Sequence, residues 1–272
     1  MQRAFLKSFL LFSLVASLGL TSSCSKDGEN ILLFSVEDDK ALGDKVAAQT
    51  DSMFRADPAK NGRLLERASN PQAYAALQVV VDRILNSGKL AHRDDFTWDV
   101  KIVQKDDIQN AFATPGGHIY VYTGLIKYLD REAELAGVLG HEIAHADRRH
   151  TSQLLQKQYG IDILLSLLLG DNPNQLAQVA VGLGSLQFSR EYERDADDYS
   201  VIYLSGTPYT CDGAAGFFIK SQQEGAASTP EFFSTHPNPE NRVTAIQAKA
   251  QELKCQGKST ADQNLIALKS VL

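Results

Sequence analysis

The stretch Gly140 to Ala146, GHEIAHA, constrains this chain more than any other part of its 272 residues. In a helix, His141 and His145 lie one turn apart on the same face. Two imidazoles at this spacing can bind one Zn²⁺, and Glu142 beside them can act as a general base. Residues 131–139 lead into the stretch with strong helix formers and no proline. The sequence therefore predicts a buried helix that presents a metal site.

A zinc ion that also binds a catalytic water needs a third protein ligand. The extended metzincin pattern would place glycine at position 148 and histidine at 151, but Arg148 and Thr151 stand there. His150 follows His145 by five residues, so in a continuous helix its side chain points well away from the histidine pair. We therefore predict that His150 is solvated and that the third ligand comes from elsewhere.

Glu191 and Glu193 are the first glutamates after the histidine pair, and helical periodicity separates them. Glu191 shares a helix face with Asp195 and Asp198, which indicates a charged and solvated face. Glu193 shares its face with Asp197 and with small residues, so a neighbouring helix can approach it closely. We predict that Glu193 is the third ligand and that Asp197 accepts the free N–H of a ligand histidine. A surface helix with many ion pairs is the alternative.

The first 23 residues have the features of a secretory signal. Arg3 and Lys7 precede a short apolar run from Phe9 to Leu20. Cys24 follows directly, as at the lipid-attachment site of bacterial lipoproteins, although Leu20 sits one place earlier than in the usual pattern. An ordinary cleaved signal that leaves a free Cys24 is the alternative.

The residues after Cys24 favour the lipoprotein, because 24–35 reads as a polar tether between a membrane and a domain at 36–272. Ser25 resembles an outer-membrane address, as found after the cysteine in many Gram-negative lipoproteins. We expect an outer-membrane lipoprotein that faces the periplasm and is attached to the membrane through its lipid.

The charge of the chain argues against a nucleic-acid partner. Loss of residues 1–23 removes Arg3 and Lys7 and no acidic residue, so the formal charge moves from −6 to −8. No block of basic residues is left that could bind phosphates.

The cysteines predict one disulfide. If Cys24 carries lipid, Cys211 and Cys255 form an even pair. In an oxidising compartment such a pair is expected to be bridged, with two unpaired buried thiols as the alternative.

Hydrophobic periodicity predicts a mainly helical α+β domain. Residues 96–103 alternate as a strand, and 110–113 and 118–122 form a hairpin around a tight turn. A small antiparallel sheet would therefore lie directly before the histidine-bearing helix. The apolar run 161–169 is too short to span a membrane, which leaves a buried helix or an interfacial flap. Other helices are predicted at 36–54, 71–85, 175–186, 188–204, 214–223 and 239–253.

Four motifs in chain order give the sequence a family resemblance. They are Asn-Ala-Phe and Pro-Gly-Gly within 110–117, H-E-x-x-H at 141–145, S-R-x-x-E-x-x-A-D at 189–197, and His236-Pro237 followed by Arg242. Over residues 36–253 the chain resembles the HtpX-like and CAAX-prenyl-protease family of zinc metallopeptidases.

The resemblance implies a zincin-type fold of the gluzincin class, one zinc ion per chain and endopeptidase activity. It assigns His141, His145 and Glu193 as ligands and Glu142 as the base. The transmembrane helices of the integral members have no counterpart in the sequence. The chain looks like the compact lipoprotein branch, which acts in envelope quality control.

Two further site assignments concern the substrate. We expect His236 or Arg242 to stabilise the oxyanion, although an ordinary turn before a helix explains His236-Pro237 equally well. His236 is also expected to alternate between ligating the zinc and withdrawing from it. Substrate is expected to lie extended beside Asn110, Ala111 and Phe112 and to pair with their main chain.

The expected substrates are unfolded or misassembled envelope proteins. The alternative is an assembly factor or chaperone that binds proteins in the cleft and cleaves them rarely. An intact Glu142 favours the peptidase, because a protein that only binds has no need of a general base.

Overall fold

The computed structural model describes residues 32–224, 230–237, 241–258 and 260–272. The signal sequence, Cys24 and most of the predicted tether lie outside these residues. So do residues 225–229 and 238–240, which flank the segment with His236. None of the described helices combines the length and hydrophobicity that a bilayer-spanning segment needs.

The described residues form a mainly helical domain with one small sheet, as predicted. Pro71 stands at the first position of the helix Pro71–Leu85, where its missing N–H costs no hydrogen bond. The strands are β1 Arg63–Leu64, β2 Asp99–Gln104, β3 Ala111–Ala113 and β4 His118–Tyr122. The helices are α1 Val36–Ala56, α2 Pro58–Asn61, α3 Pro71–Leu85, α4 Thr123–Tyr128, α5 Glu132–Asp147, α6 His150–Tyr159, α7 Ile161–Leu169, α8 Pro173–Leu183, α9 Arg190–Ser205, α10 Gly213–Glu224, α11 Phe232–Thr235, α12 Arg242–Glu252 and α13 Gln263–Ser270.

The sheet is mixed, with strand order β1-β2-β4-β3. The predicted hairpin is present, because β3 and β4 pair antiparallel with Phe112 opposite Tyr120. The prediction of a wholly antiparallel sheet is wrong for β2 and β4, which run parallel with Val100 opposite Ile119. After β2 the chain forms β3 at the far edge of the sheet. It then returns as β4 between β3 and β2, so β4 runs in the same direction as β2. The predicted strand also begins later than expected, since Trp98 has a φ of 46°.

Helix α5 lies at the centre of the domain, and every residue from Leu135 to Asp147 is buried. Glycines let its neighbours approach closely. A Cβ atom on Gly137 would lie 2.1 Å from the backbone nitrogen of Ala214 at the start of α10, and one on Gly140 would lie 2.9 Å from Ser200 Oγ on α9. Because α9 comes this close, an acidic side chain on it can reach the histidines of α5.

The C-terminal part of the chain is fastened to this helical core. Cys211 and Cys255 form a disulfide that ties the loop before α10 to the end of α12. Near the C-terminus, residues Gln263–Ser270 form α13, which packs against α3. The buried carboxylate of Glu132 accepts hydrogen bonds from the backbone and side-chain nitrogens of Asn264, at 2.8 and 2.9 Å. This contact anchors α13 at the start of α5.

Candidate metal centre

Four buried side chains converge between α5, α9 and α11. His141 and His145 come from α5, Glu193 from α9, and His236 follows α11 directly, with one ligand atom of each within 4.8 Å of the others. The Nε2 atoms of His141 and His145 are 3.0 Å apart. Each lies 3.4 Å from a different carboxylate oxygen of Glu193. The structure thus brings together the three predicted ligands and places beside them His236, for which the sequence predicts an alternating contact with the metal.

The chemistry of this donor set fits a zinc ion. Tetrahedral zinc with bonds of 2.0–2.1 Å separates its ligand atoms by about 3.3 Å, close to the spacing of the Glu193 oxygens from the two imidazoles. Glu193 Oε1 and His236 Nε2 are buried and make no hydrogen bond among the described residues, and Glu193 Oε2 has an ion-pair contact with Arg242 Nη2 at 2.9 Å. Such atoms are costly to bury unless something binds them. Imidazole and carboxylate are the donors that zinc uses in catalytic sites.

The two glutamates of α9 differ in the way that helical periodicity predicts. Glu193 is completely buried, whereas Glu191 is exposed. Ser189 caps the start of α9 by accepting a hydrogen bond from the backbone N–H of Tyr192 at 3.2 Å. The cap fixes where the helix begins and therefore which of its faces meets α5.

Asp197 lies one turn beyond Glu193 and contacts the first histidine. Its Oδ1 atom is 2.9 Å from His141 Nδ1, the ring nitrogen that does not face Glu193. A hydrogen bond there fixes the tautomer in which Nε2 has a free lone pair. This is the contact that the sequence analysis predicts for Asp197.

Arg242 is buried beneath these acids and binds them. Its Nε and Nη2 atoms lie 2.6 and 2.8 Å from the two carboxylate oxygens of Asp197, and Nη2 is also 2.9 Å from Glu193 Oε2. Its Nη1 is 3.5 Å from the backbone carbonyl of His236. These contacts favour a positioning role for Arg242 over the oxyanion role that the sequence analysis offers.

Glu142 lies beside the cluster without belonging to it. It is fully buried, and neither carboxylate oxygen makes a hydrogen bond to a described residue. Burial raises the pKa of Glu142 to about 8; the charge of His141 opposes this rise and that of Glu193 adds to it. A carboxyl group with a pKa near neutrality can both accept and return a proton.

His236 presents its Nε2 atom to the cluster, 3.4 Å from Glu142 Oε1. Its other ring nitrogen, Nδ1, lies 3.2 Å from the backbone carbonyl of Phe232 and 2.8 Å from Thr235 Oγ1. The ring stacks on the Phe232 side chain with centroids 4.0 Å apart. A proton on Nδ1 satisfies the carbonyl and leaves Nε2 free to ligate a cation.

Comparison with known proteins agrees with this geometry, because residues 71–250 match peptidase family M48. The chain belongs to peptidase family M48. The match spans α3 to α12 and includes every residue of the metal cluster.

Curated relatives are 26–32% identical to this chain over the aligned residues. The chain is 32% identical over 164 residues to the mitochondrial metalloendopeptidase OMA1 of Arabidopsis thaliana, which covers 60% of the chain and 34% of the relative. It is 26% identical over 223 residues to the beta-barrel assembly-enhancing protease of Yersinia pestis, covering 76% and 46%. For the Escherichia coli protein of the same name the values are 27% over 168 residues, 56% and 34%. The chain thus spans a third to a half of the length of these relatives.

The structure contradicts the prediction for His150, which lies beside this M48 site. His150 is only 4% exposed, and its Nδ1 lies 3.1 Å from His145 Nδ1. The prediction of a solvated His150 is wrong because α5 does not continue: Arg149 takes a left-handed conformation, φ 62°, and α6 begins at His150. The turn brings the side chain back towards His145. Motif spacing alone gives no signal of such a break.

Asp195, for which the sequence predicts a solvated face, lies instead at the edge of the M48 site. Its Oδ2 atom is 3.1 Å from His150 Nε2 and accepts a hydrogen bond from Arg148 Nε at 2.8 Å. Its side chain is one-third exposed. Two other histidines lie outside the cluster and pair with acids, His92 with Asp95 and His118 with Asp44.

Fewer main-chain groups of the edge strand β3 are free to pair with a substrate than the sequence suggests. The pairing of Asn110 with Tyr122 turns the main-chain groups of Asn110 and Phe112 towards β4, so those of Ala111 and Ala113 face the outer edge. There Asn110 Oδ1 accepts the N–H of Ala111 at 2.8 Å, and Thr151 Oγ1 donates to the carbonyl of Ala113 at 3.2 Å. All three β3 residues are buried.

Proposed function

We propose that this M48 protein is a zinc-dependent endopeptidase of the bacterial cell envelope. The observation that carries the proposal is the buried carboxylate of Glu142, which makes no hydrogen bond to a described residue and lies beside a cluster suited to zinc. Burying a carboxyl group without a hydrogen-bond partner costs free energy. We therefore expect Glu142 to have a partner during the reaction. Water and peptide bond would supply that partner.

Each residue of the metal site has a separate role in the proposed reaction. His141, His145 and Glu193 would hold one zinc ion per chain, and Asp197 orients His141 for it. When bound, zinc polarises the scissile carbonyl and lowers the pKa of the attacking water. Glu142 accepts the proton of that water on a carboxylate oxygen and later delivers it to the leaving amine.

Substrate binds as an extended segment along β3. The carbonyl of Ala111 and the N–H of Ala113 are the main-chain groups at the outer edge that pair with it. Because β3 and the whole cluster are buried, the elements that cover them must move before substrate enters. Recognition through the main chain suits unfolded proteins, whose backbone is accessible.

The substrates are misfolded or unassembled envelope proteins, and the protein acts in their quality control. The signal-like residues 1–23 and Cys24 support an outer-membrane lipoprotein that faces the periplasm. The names of the bacterial relatives support an envelope role. These features support the compact lipoprotein branch of the HtpX-like and CAAX-prenyl-protease family as the place of this chain.

A second candidate function is an assembly factor that cleaves rarely. The observation that favours it is the position of His236, whose Nε2 atom lies within the metal cluster and 3.4 Å from Glu142. A histidine at this place competes with water for the metal. The two functions differ in whether zinc-loaded protein degrades an unfolded substrate without a further trigger.

The test compares wild-type protein with Glu142→Gln on casein. We expect zinc-dependent cleavage by the wild type, loss of cleavage in the presence of a chelator, and a loss of about 10²- to 10⁴-fold in Glu142→Gln. Zinc content and melting temperature should match the wild type. If casein stays intact with zinc-loaded wild type, the assembly factor is the better description. If Glu142→Gln loses zinc together with activity, Glu142 is a ligand and its assignment as the base fails.

A further inference from the structure

Behind His145 lies a chain of polar contacts that the proposed reaction does not use. His145 turns Nε2 towards Glu193 and Nδ1 towards His150, whose Nδ1 is 3.1 Å away. His150 Nε2 is 3.1 Å from Asp195 Oδ2. The same oxygen accepts the Nε–H of Arg148 at 2.8 Å.

Only one placement of protons satisfies this chain when His145 ligates zinc. The ligating Nε2 must have a free lone pair, so His145 carries its proton on Nδ1. His150 Nδ1 then accepts that proton's hydrogen bond, and His150 Nε2 carries its own proton and donates it to Asp195. Asp195 therefore fixes the orientation and tautomer of His150, and His150 fixes those of His145.

The arrangement parallels the one behind His141, with one residue added. There Asp197 accepts directly from the ligand and is held by Arg242. Asp195 stands two residues earlier on α9 and is held by Arg148, but it reaches its ligand through the ring of His150. Both carboxylates belong to the helix that also supplies Glu193.

The backbone holds His150 in place. Arg149, in its left-handed conformation, separates α5 from α6. Its guanidinium binds Asp39 Oδ2 at 2.6 Å and the backbone carbonyl of Phe34 at 2.6 Å, so α1 supports the turn. The His150 ring also stacks on Tyr192 with centroids 4.6 Å apart. Held on two sides, the ring is a fixed acceptor for His145.

We infer that His150 is a positioning residue, which together with Asp195 and Arg148 orients His145 for zinc. The inference rests on the proposed zinc site and adds to it a second supported ligand. Acceptors behind a ligand histidine typically change metal affinity or activity by about 10- to 100-fold when removed.

The test titrates metal-free protein with Zn²⁺ against a chromophoric chelator. His150→Phe keeps a ring that can stack on Tyr192 but offers no acceptor, so we expect zinc affinity to fall about 10- to 100-fold. His150→Asn offers an amide oxygen at the position of Nδ1 and should retain most of the affinity. With zinc in excess, His150→Phe should lower kcat and leave KM unchanged, because His150 acts through His145 and does not touch substrate.

Two variants on α9 distinguish the positioning of His145 from a general effect of negative charge on zinc binding. Asp195→Asn should weaken zinc binding, whereas Asp198→Asn, at an exposed position of the same helix, should not. Wild-type affinity in His150→Phe, or equal affinities in Asp195→Asn and Asp198→Asn, would overturn the inference. If His150→Phe fails to fold, the Asp195 and Asp198 variants still decide it. Failure of the zinc site itself looks different, since the wild type would then bind no zinc.

Discussion

The guanidinium of Arg242 donates two hydrogen bonds to the carboxylate of Asp197, from Nε at 2.6 Å and from Nη2 at 2.8 Å. Both side chains are almost completely buried. The pair lies behind His141, and Arg242 also reaches Glu193. The last helix of the site is thus coupled to two acids of α9.

We expect Arg242→Ala to weaken the fold and zinc binding together. Removal of the guanidinium leaves two buried carboxylates without their cation, and breaking a buried pair in this way costs about 3–5 kcal/mol. Arg242→Lys should recover little, since an ammonium group cannot reproduce the bidentate contact. Thermal unfolding of metal-free protein and zinc competition measure the two effects. An Arg242→Ala protein with wild-type stability and zinc affinity but a reduced kcat would instead support the oxyanion role.

Glu193 and Glu191 allow a test of the ligand assignment on a single helix. Glu193→Ala should lower zinc occupancy sharply, because it removes one of three protein ligands. Glu191→Ala is its control, since it deletes the same group two residues away at an exposed position. Metal analysis after dialysis measures the difference. Full zinc in Glu193→Ala, or loss of zinc in Glu191→Ala, would contradict the assignment.

Periodicity within one helix made these residues predictable. His141 and His145 recur with the turn of α5, and Glu193 and Asp197 with that of α9, so neither pair depends on the rest of the fold. His150 and Asp195 were mispredicted because their contact depends on a break in the helix at Arg149. That break is held by Asp39, more than 100 residues earlier in the chain.

The sheet shows the same division between local and distant determinants. The β3–β4 hairpin follows from a turn between adjacent segments. The parallel pairing of β2 with β4 depends on where β3 lies, which alternation of side chains does not encode. Likewise, the position of α13 depends on a contact between Asn264 and Glu132, which lies 132 residues earlier in the chain. Distant pairings of this kind are set by packing.

Attachment to the membrane can be tested at Cys24. Cys24→Ser removes the thiol that would carry lipid, so we expect the mature protein to move from the membrane fraction to the soluble fraction of the envelope. Fractionation followed by immunoblotting measures this. The exposed leucines of α7, Leu165 and Leu169, are the alternative attachment. Unchanged membrane association of Cys24→Ser, lost on replacing these leucines, would favour docking through α7.

His236 gives the most demanding prediction, because its position serves two opposed purposes. Its Nε2 atom lies where it can ligate the metal, and its Nδ1 is held by Phe232 and Thr235. In the buried arrangement we expect it to compete with water for the metal and to block the approach to Glu142. Withdrawn from that place, the imidazole can donate a hydrogen bond to the oxyanion of the reaction.

We therefore expect His236→Ala to relieve resting inhibition and to slow turnover at the same time. Basal cleavage of a slowly cleaved substrate should rise, since water no longer competes with the imidazole. The kcat for a good unfolded substrate should fall, by as much as about 10²- to 10³-fold if His236 is a principal oxyanion donor. Steady-state kinetics on a folded and an unfolded substrate measure both effects, with His118→Ala as the control because His118 pairs with Asp44 outside the cluster. Wild-type kinetics of His236→Ala on both substrates would contradict the two-state role.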